Sequence, residues 1–282
     1  MRYSISVPNF GELADPRLHT EIAREAERAG WDGYFVWDHL LVWNGNVVAD
    51  PWSILTAVAL GTERIRLGPM LVPLPRRRPW QVVRQIVTLD RLSGGRAILG
   101  AGLGFPPHEE FEVFGEPSDA KARAAILDEG LEVVAGLMTG EPFSFAGEHV
   151  TIDDVTFAPV PVQRPRVPIW IGGAWPRRAP FRRAARWDGV VPILLDDGGE
   201  QIEVTVEAQR AVVAYTLEHR AGDGPFDVVF TGPLPDDDAQ ALERADELAS
   251  FGVTWWQTSV DHPEQSLAHL RERILAGPPG RG

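Results

Sequence analysis

Apolar and polar positions along the chain switch repeatedly between a period of two and a helical period. Tyr3–Val7 alternates and stops at Pro8-Asn9, which reads as a strand. Asp15 then precedes Pro16, an N-cap followed by a proline at the first helical position. Leu18, Ile22, Ala26 and Ala29 recur at helical spacing, and Gly30 ends the run. Further strands are predicted at Gly33–Trp37, Ile65–Leu71, Arg96–Gly100, Val167–Ile171, Gly189–Ile193, Asp227–Phe230 and Thr254–Thr258. Helices are predicted at Pro51–Leu60, Pro79–Leu92, from the end of a long loop (Ala101–Asp119) to Met138, and at Ala179–Ala185, Gln201–Arg220, Asp238–Phe251 and Pro263–Ala276. Phe143–Phe145 and His149–Ile152 flank Gly147 as a small hairpin, and Pro159–Pro168 is proline-rich and extended.

Eight strands alternating with eight helices require parallel strands and right-handed crossovers. That number favours a closed (β/α)8 TIM barrel over an open sheet. No Gly-x-Gly-x-x-Gly follows the first strand, as an open dinucleotide-binding sheet would normally show. The 282 residues suit one barrel, which takes about 250. No linker divides the chain, so residues 1–276 read as a single α/β domain with insertions after strand four and before strand five. Residues 277–282 read as a flexible Gly/Pro-rich tail.

Composition narrows the chemistry. Cysteine is absent, so neither a disulfide nor a thiolate metal site is possible, and the chain fits a reducing cytoplasm. There is no signal-peptide pattern and no apolar run long enough for a membrane span. A net charge of −13 argues against nucleic acid as a partner. An anionic cofactor would then need a local concentration of cations. The ten Trp residues suggest apolar pockets or interfaces as well as core.

In this fold active sites sit at the C-terminal ends of the strands. Among the seven histidines only His39 directly follows a strand, beside Asp38 in Trp37-Asp38-His39. Two readings stay open there. The pair can hold an imidazole tautomer against a bound ring, or Asp38 can cap a turn while His39 packs. No His-x-His ends strand one, Lys121 lies at no strand end, and no Gly-x-Ser-x-Gly elbow is present. A cofactor is therefore expected to supply the reactivity. Two stretches could hold its anionic part: Gly172-Gly173-Ala174 with Arg177 and Arg178, and Arg76-Arg77-Arg78. Gly100-Ala101-Gly102-Leu103-Gly104 is either a surface for a flat ring or a tight turn. Phe10, Trp37, Trp43, Trp52 and Phe105 could line an apolar pocket.

Several of these motifs occur in a family-like order. Trp37-Asp38-His39-Leu40-Leu41 is followed by Leu67-Gly68-Pro69-Met70-Leu71-Val72 with Arg78-Pro79. Then come Thr88–Arg96, Gly100–Gly104, Pro159–Pro165 and Pro168–Gly173. The series, over about residues 3–195, resembles the luciferase-like monooxygenase superfamily. The resemblance implies a barrel that binds coenzyme F-420 (F420) or FMN at the strand C-termini, and a homodimer. It implies ring-side roles for Asp38 and His39, and it matches Trp43 to a Trp of the deazaflavin-dependent sugar-phosphate dehydrogenases. It also implies a non-proline cis peptide near Met70-Leu71 and phosphate binding at a Gly172-Gly173 turn. Phe105 stands where those dehydrogenases carry a Glu, so the resemblance does not imply their proton donor or substrate for this chain. The leading expectation is F420-dependent hydride transfer with a small organic substrate. The cofactor would be held by Asp38, His39, Met70, Leu71, Arg78, Gly102, Gly104, Gly172, Gly173 and Ala174. The rivals are an FMN-dependent monooxygenase fed by a partner reductase and a non-catalytic flavin-binding barrel.

Overall fold

The structure, a computed structural model, describes residues 1–41, 47–196, 201–202, 204–259 and 267–281. Its strands are β1 (Arg2–Val7), β2 (Gly33–Val36), β3 (Arg66–Pro69), β4 (Val72–Pro73), β5 (Leu99–Gly102), β6 (Phe143–Ala146), β7 (Thr151–Val155), β8 (Ile169–Trp175), β9 (Gly189–Leu195), β10 (Gln201–Ile202), β11 (Asp227–Thr231) and β12 (Trp255–Ser259). Its helices are α1 (Pro16–Arg28), α2 (Pro51–Gly61), α3 (Pro79–Leu92), α4 (Pro107–Glu110), α5 (Ala120–Leu137), α6 (Ala179–Ala184), α7 (Val206–Glu218), α8 (Asp238–Ser250) and α9 (Leu267–Ala276). The Asp-Pro starts of α1 and α2 act as caps: the Asp15 carboxylate accepts from the Arg17 N–H at 2.9 Å, and that of Asp50 from the Ser53 N–H at 2.7 Å.

Parallel pairing runs β3-β2-β1-β12-β11-β9-β8-β5-β4. β3 and β4 are one barrel strand, interrupted at the cis Met70-Leu71 peptide that the resemblance led us to expect. β3 pairs with β2, and β4 pairs with β5. Leu67 also bridges Ala97, just ahead of β5, and brings the two ends of the order together. The barrel is thus nearly closed, with helices around it.

Side chains alternate along each strand, so one set fills the barrel and the other meets the helices. Outside, Ile5, Val7, Tyr34 and Leu99 pack with Ile22, Leu55 and Ile86. Inside, Phe35, Trp170 and Trp255 plug the N-terminal half, with ring centroids 5.3 to 6.2 Å apart. Glycines make room for these rings: a Cβ on Gly33 would lie 2.8 Å from the Phe35 ring, and one on Gly189 would lie 2.5 Å from Trp170. Much of the Trp content therefore serves the core. Trp31 and Trp256 are also buried, donating to the carbonyls of Ile274 and Gly232. By the register, several inward positions toward the C-terminal end are small or polar, among them Ser6, Gly102, Gly172 and Thr231.

Two motifs that carried the resemblance are scaffold. The Asp90 carboxylate accepts from the backbone N–H groups of Val162 and Gln163 and from the Gln163 side chain at 2.7–3.1 Å. This ties the proline-rich segment to the end of α3. Arg96, buried, donates to the carbonyls of Ala59, Thr62, Ile65 and Ser93.

Several boundaries differ from expectation. β8 continues to Trp175, so Gly172-Gly173 lies within a strand and is not a turn. Residues 201–202 pair antiparallel with β9, and the helix expected from Gln201 begins at Val206, capped by the Thr205 hydroxyl. The tail expected to be loose is packed over its described residues: Pro278 and Pro279 are buried, and Arg281 contacts the Gly30 carbonyl and Asp32 at 2.8 Å.

Candidate active site

Beyond β2 the residues Trp37, Asp38 and His39 diverge, as successive side chains in extended backbone must. The Trp37 indole donates to the Ser6 hydroxyl at 2.9 Å. The Asp38 carboxylate, fully buried, accepts from Arg76 at 2.8 Å and from two nitrogens of Arg77 at 2.7 and 3.0 Å. The same Arg76 donates through Nε to Glu110 Oε2 at 3.0 Å. The other oxygen of Glu110 meets His39 Nδ1 at 2.9 Å and accepts from the Leu40 N–H at 3.1 Å. Arg77, Asp38, Arg76, Glu110 and His39 thus form one chain of contacts, in which two guanidiniums balance two carboxylates. Both carboxylate side chains are 0% exposed and Arg76 is 5% exposed. Buried charges of this kind require such pairing.

This arrangement corrects two expectations. Asp38 does not orient His39, because neighbouring side chains leave the strand end in different directions; Glu110, from α4, takes that role. Nor are Arg76 and Arg77 open to an external anion, because Asp38 and Glu110 already engage them. Only Arg78 of the triplet is exposed, with its guanidinium 5.9 Å from the Trp80 ring centroid.

His39 is held from three other sides. Phe10 and Trp37 present edge-on contacts, with centroids 6.3 and 5.7 Å from the imidazole. Asn9, fully buried, donates to the carbonyls of His39 and Ala49 at 3.2 and 2.8 Å. With Arg76 and Leu40 donating to Glu110, that carboxylate is the acceptor and His39 Nδ1 is the donor. In that tautomer the lone pair lies on Nε2. No described residue bonds that nitrogen, and the side chain is 23% exposed.

The glycine-rich strand ends divide by direction. Gly100, Gly102 and Gly172 face the Leu71 side chain, whose atoms lie 2.8, 3.2 and 2.1 Å from the Cβ each would carry. Gly173 faces outward, where a Cβ would lie 2.9 Å from Pro180 of α6. Gly104 has φ +83° and turns the chain against Phe111 and Pro73. Ala174 lies next along β8, and exposed Arg178 stacks on Trp175 at 3.8 Å. Trp43 lies outside the described residues. Trp52 is buried, and Phe105 is exposed.

The mouth has features that fit a flat polar ring. Leu71 fills the space that the absent side chains of Gly100, Gly102 and Gly172 leave, so a single leucine forms this part of the mouth. Thr231 Oγ1 and Gln257 Oε1 are buried without a hydrogen-bond partner among the described residues. Buried polar atoms are ordinarily satisfied, so these two are candidate contacts for a bound group. Two surface depressions of about 430 and 240 Å³ lie along α3, and neither is lined by His39 or these glycines.

Sequence reasoning missed Glu110. It sits in a single-turn helix inside a stretch read as loop, where no periodicity marks a buried position. The available signal was its neighbour Phe111, fully buried and packed under Gly104.

A family model described as luciferase-like monooxygenase matches residues 1–277. The chain belongs to the luciferase-like monooxygenase family. Among the family's curated relatives, it is 27% identical to an F420-dependent glucose-6-phosphate dehydrogenase of Amycolatopsis mediterranei, over 98% of this chain and 89% of that one. A protein of the same description from Nakamurella multipartita is 35% identical, over 62% of this chain and 50% of that one. Among solved structures, an F420-dependent secondary alcohol dehydrogenase in complex with an F420-acetone adduct superposes with TM-score 0.76 at 15% identity, covering 97% and 98% of the two chains. A monooxygenase from Streptomyces bottropensis gives 0.74 at 21% identity, covering 97% and 96%. Both share the luciferase-like barrel. Among the described residues no helix is long and apolar enough to cross a membrane.

Proposed function

We propose that this chain is an F420-dependent oxidoreductase that transfers a hydride to or from a small organic substrate at the C-terminal mouth of the barrel. The observation that carries the reading is the anchored His39, with Nδ1 on Glu110 and Nε2 left for a substrate. The F420-dependent relatives from Amycolatopsis and Nakamurella support F420 as the cofactor.

Met70, Leu71, Gly102 and Gly172 would hold the ring from below, with Thr231 and Gln257 as polar contacts. The end of β8, Gly172-Gly173-Ala174 with Arg177 and Arg178, would receive the anionic tail together with Arg78. F420, when bound, supplies a two-electron hydride acceptor or donor. Oxidation of an alcohol also releases a proton from its hydroxyl, and Nε2 of His39 takes it. In the reducing direction Nε2–H returns the proton to the carbonyl oxygen. Asp38 and Glu110 act at one remove: they hold Arg76 and the imidazole in place.

The aromatic flank formed by Phe10 and Trp37 favours a second reading, an FMN-dependent monooxygenase that shields its reduced flavin from water and takes it from a partner reductase. Turnover separates the two. We expect loss of the visible absorbance of oxidised F420 with a panel of primary and secondary alcohols, at the same rate under air and under argon. Oxygen uptake with reduced FMN, and no reaction of F420 with any alcohol, would favour the monooxygenase.

A further inference from the structure

We infer that the substrate is an uncharged, predominantly apolar molecule and not a sugar phosphate; the inference rests on the mouth being the site of hydride transfer. The described segments that follow the barrel strands gather at that end. Within the described residues, those after β1 (8–15), β2 (37–41 and 47–50), β5 (103–119) and β11 (232–237), and Asp196 after β9, contain Asp or Glu and no Lys or Arg. Arginine occurs only in the segments after β4 (74–78) and β8 (176–178).

Most of that positive charge is already engaged. Arg76 and Arg77 are paired with Asp38 and Glu110. Arg178 lies over the rings of Trp175 and Tyr215, at 3.8 and 4.6 Å. Arg78, Arg177 and Arg178 are the residues proposed above for the anionic tail of the cofactor. A phosphate dianion is held by guanidinium or ammonium groups aimed at its oxygens. The three segments nearest His39, those after β1, β2 and β5, supply none and instead carry Glu12, Glu109, Glu112 and Glu116. An anionic substrate approaching His39 meets like charge.

The same segments expose apolar side chains. Phe105 is 71% exposed, Val47 70%, Phe114 52%, Val113 48% and Leu40 41%. Large apolar side chains gathered at the rim of a site mark the chemistry of what enters it.

Binding of three probes tests the inference without relying on turnover. Quenching of F420 fluorescence is measured first. Cyclohexanol, glucose and glucose 6-phosphate are then titrated by saturation-transfer NMR into the protein with and without F420, at low salt. Cyclohexanol is expected to bind at least 10-fold more tightly than either sugar, and glucose 6-phosphate most weakly. Glucose 6-phosphate binding as well as cyclohexanol would overturn the charge argument. Glucose binding as well as cyclohexanol, or no binding of cyclohexanol in either form, would overturn the apolar one. Absence of F420 quenching would count against the cofactor reading alone, because the rim charges are present without the cofactor.

Discussion

Glu110 meets His39, Leu40 and Arg76 with one carboxylate, and it comes from a segment 71 residues beyond the imidazole it anchors. Removing it by Glu110→Ala leaves Arg76 buried beside a single remaining partner. We expect a loss of roughly 3–5 kcal/mol, read as a lower urea midpoint, because breaking a buried ion pair strands a charge. Glu110→Gln keeps the shape and can still accept from Nδ1, so it should fold more stably than Glu110→Ala and retain more activity. For His39→Ala the expectation is the reverse pattern: an unchanged urea midpoint and F420 affinity, with hydride transfer slowed at least about 100-fold, the range of general acid–base catalysis. Unchanged turnover would remove His39 from the chemistry. A second histidine governs pH stability. Burial holds His19 down at about 4, and it sits between the Tyr34 hydroxyl and the Leu13 carbonyl. The unfolded chain protonates first, so this contribution is complete above about pH 6.5 and shrinks as pH falls toward 4. The expected loss by pH 4.5 is about 2–3 kcal/mol, and urea melts of His19→Gln should show a flatter dependence over that window. At this scale the sequence was partly readable. His39 stood out by its place at a strand end, whereas its partner did not, because a long-range contact leaves no local pattern.

At the scale of elements, β8 shows how adjacent glycines differ. Gly172 faces Leu71 inside the barrel, and Gly173 faces Pro180 and Phe181 of α6. Gly173→Leu should push α6 outward and cost about 1–3 kcal/mol of stability, as overpacking does, with F420 affinity changed less than by Gly172→Ala. Gly172→Ala should displace the Leu71 side chain into the mouth and weaken F420 binding, with a smaller effect on the urea midpoint. The two outcomes exchanged would mean that the inside and outside of this strand were assigned wrongly. Alternation and caps made the barrel elements legible, Asp15-Pro16 and Asp50-Pro51 most directly. They could not reveal that β8 runs on through two glycines, since glycine usually marks a turn and here makes room on both faces of the sheet. Nor could helical spacing separate 201–202 from α7, where pairing with β9 decided the outcome.

Across the whole molecule, the aromatic plug of Phe35, Trp170 and Trp255 fills the N-terminal half of the barrel and confines ligand chemistry to the other end. Net charge −13 pointed to a local concentration of arginine, and five arginines lie in the segments after β4 and β8. What composition could not show is that two of them serve to hold Asp38 and Glu110. Cofactor choice is the central claim, and fluorescence quenching measures it directly. F420 and reduced FMN are titrated separately into the protein under argon. We expect saturable quenching by the protein for F420, with an affinity at least 10-fold tighter than for reduced FMN. Tight binding of reduced FMN with no binding of F420 would contradict the account.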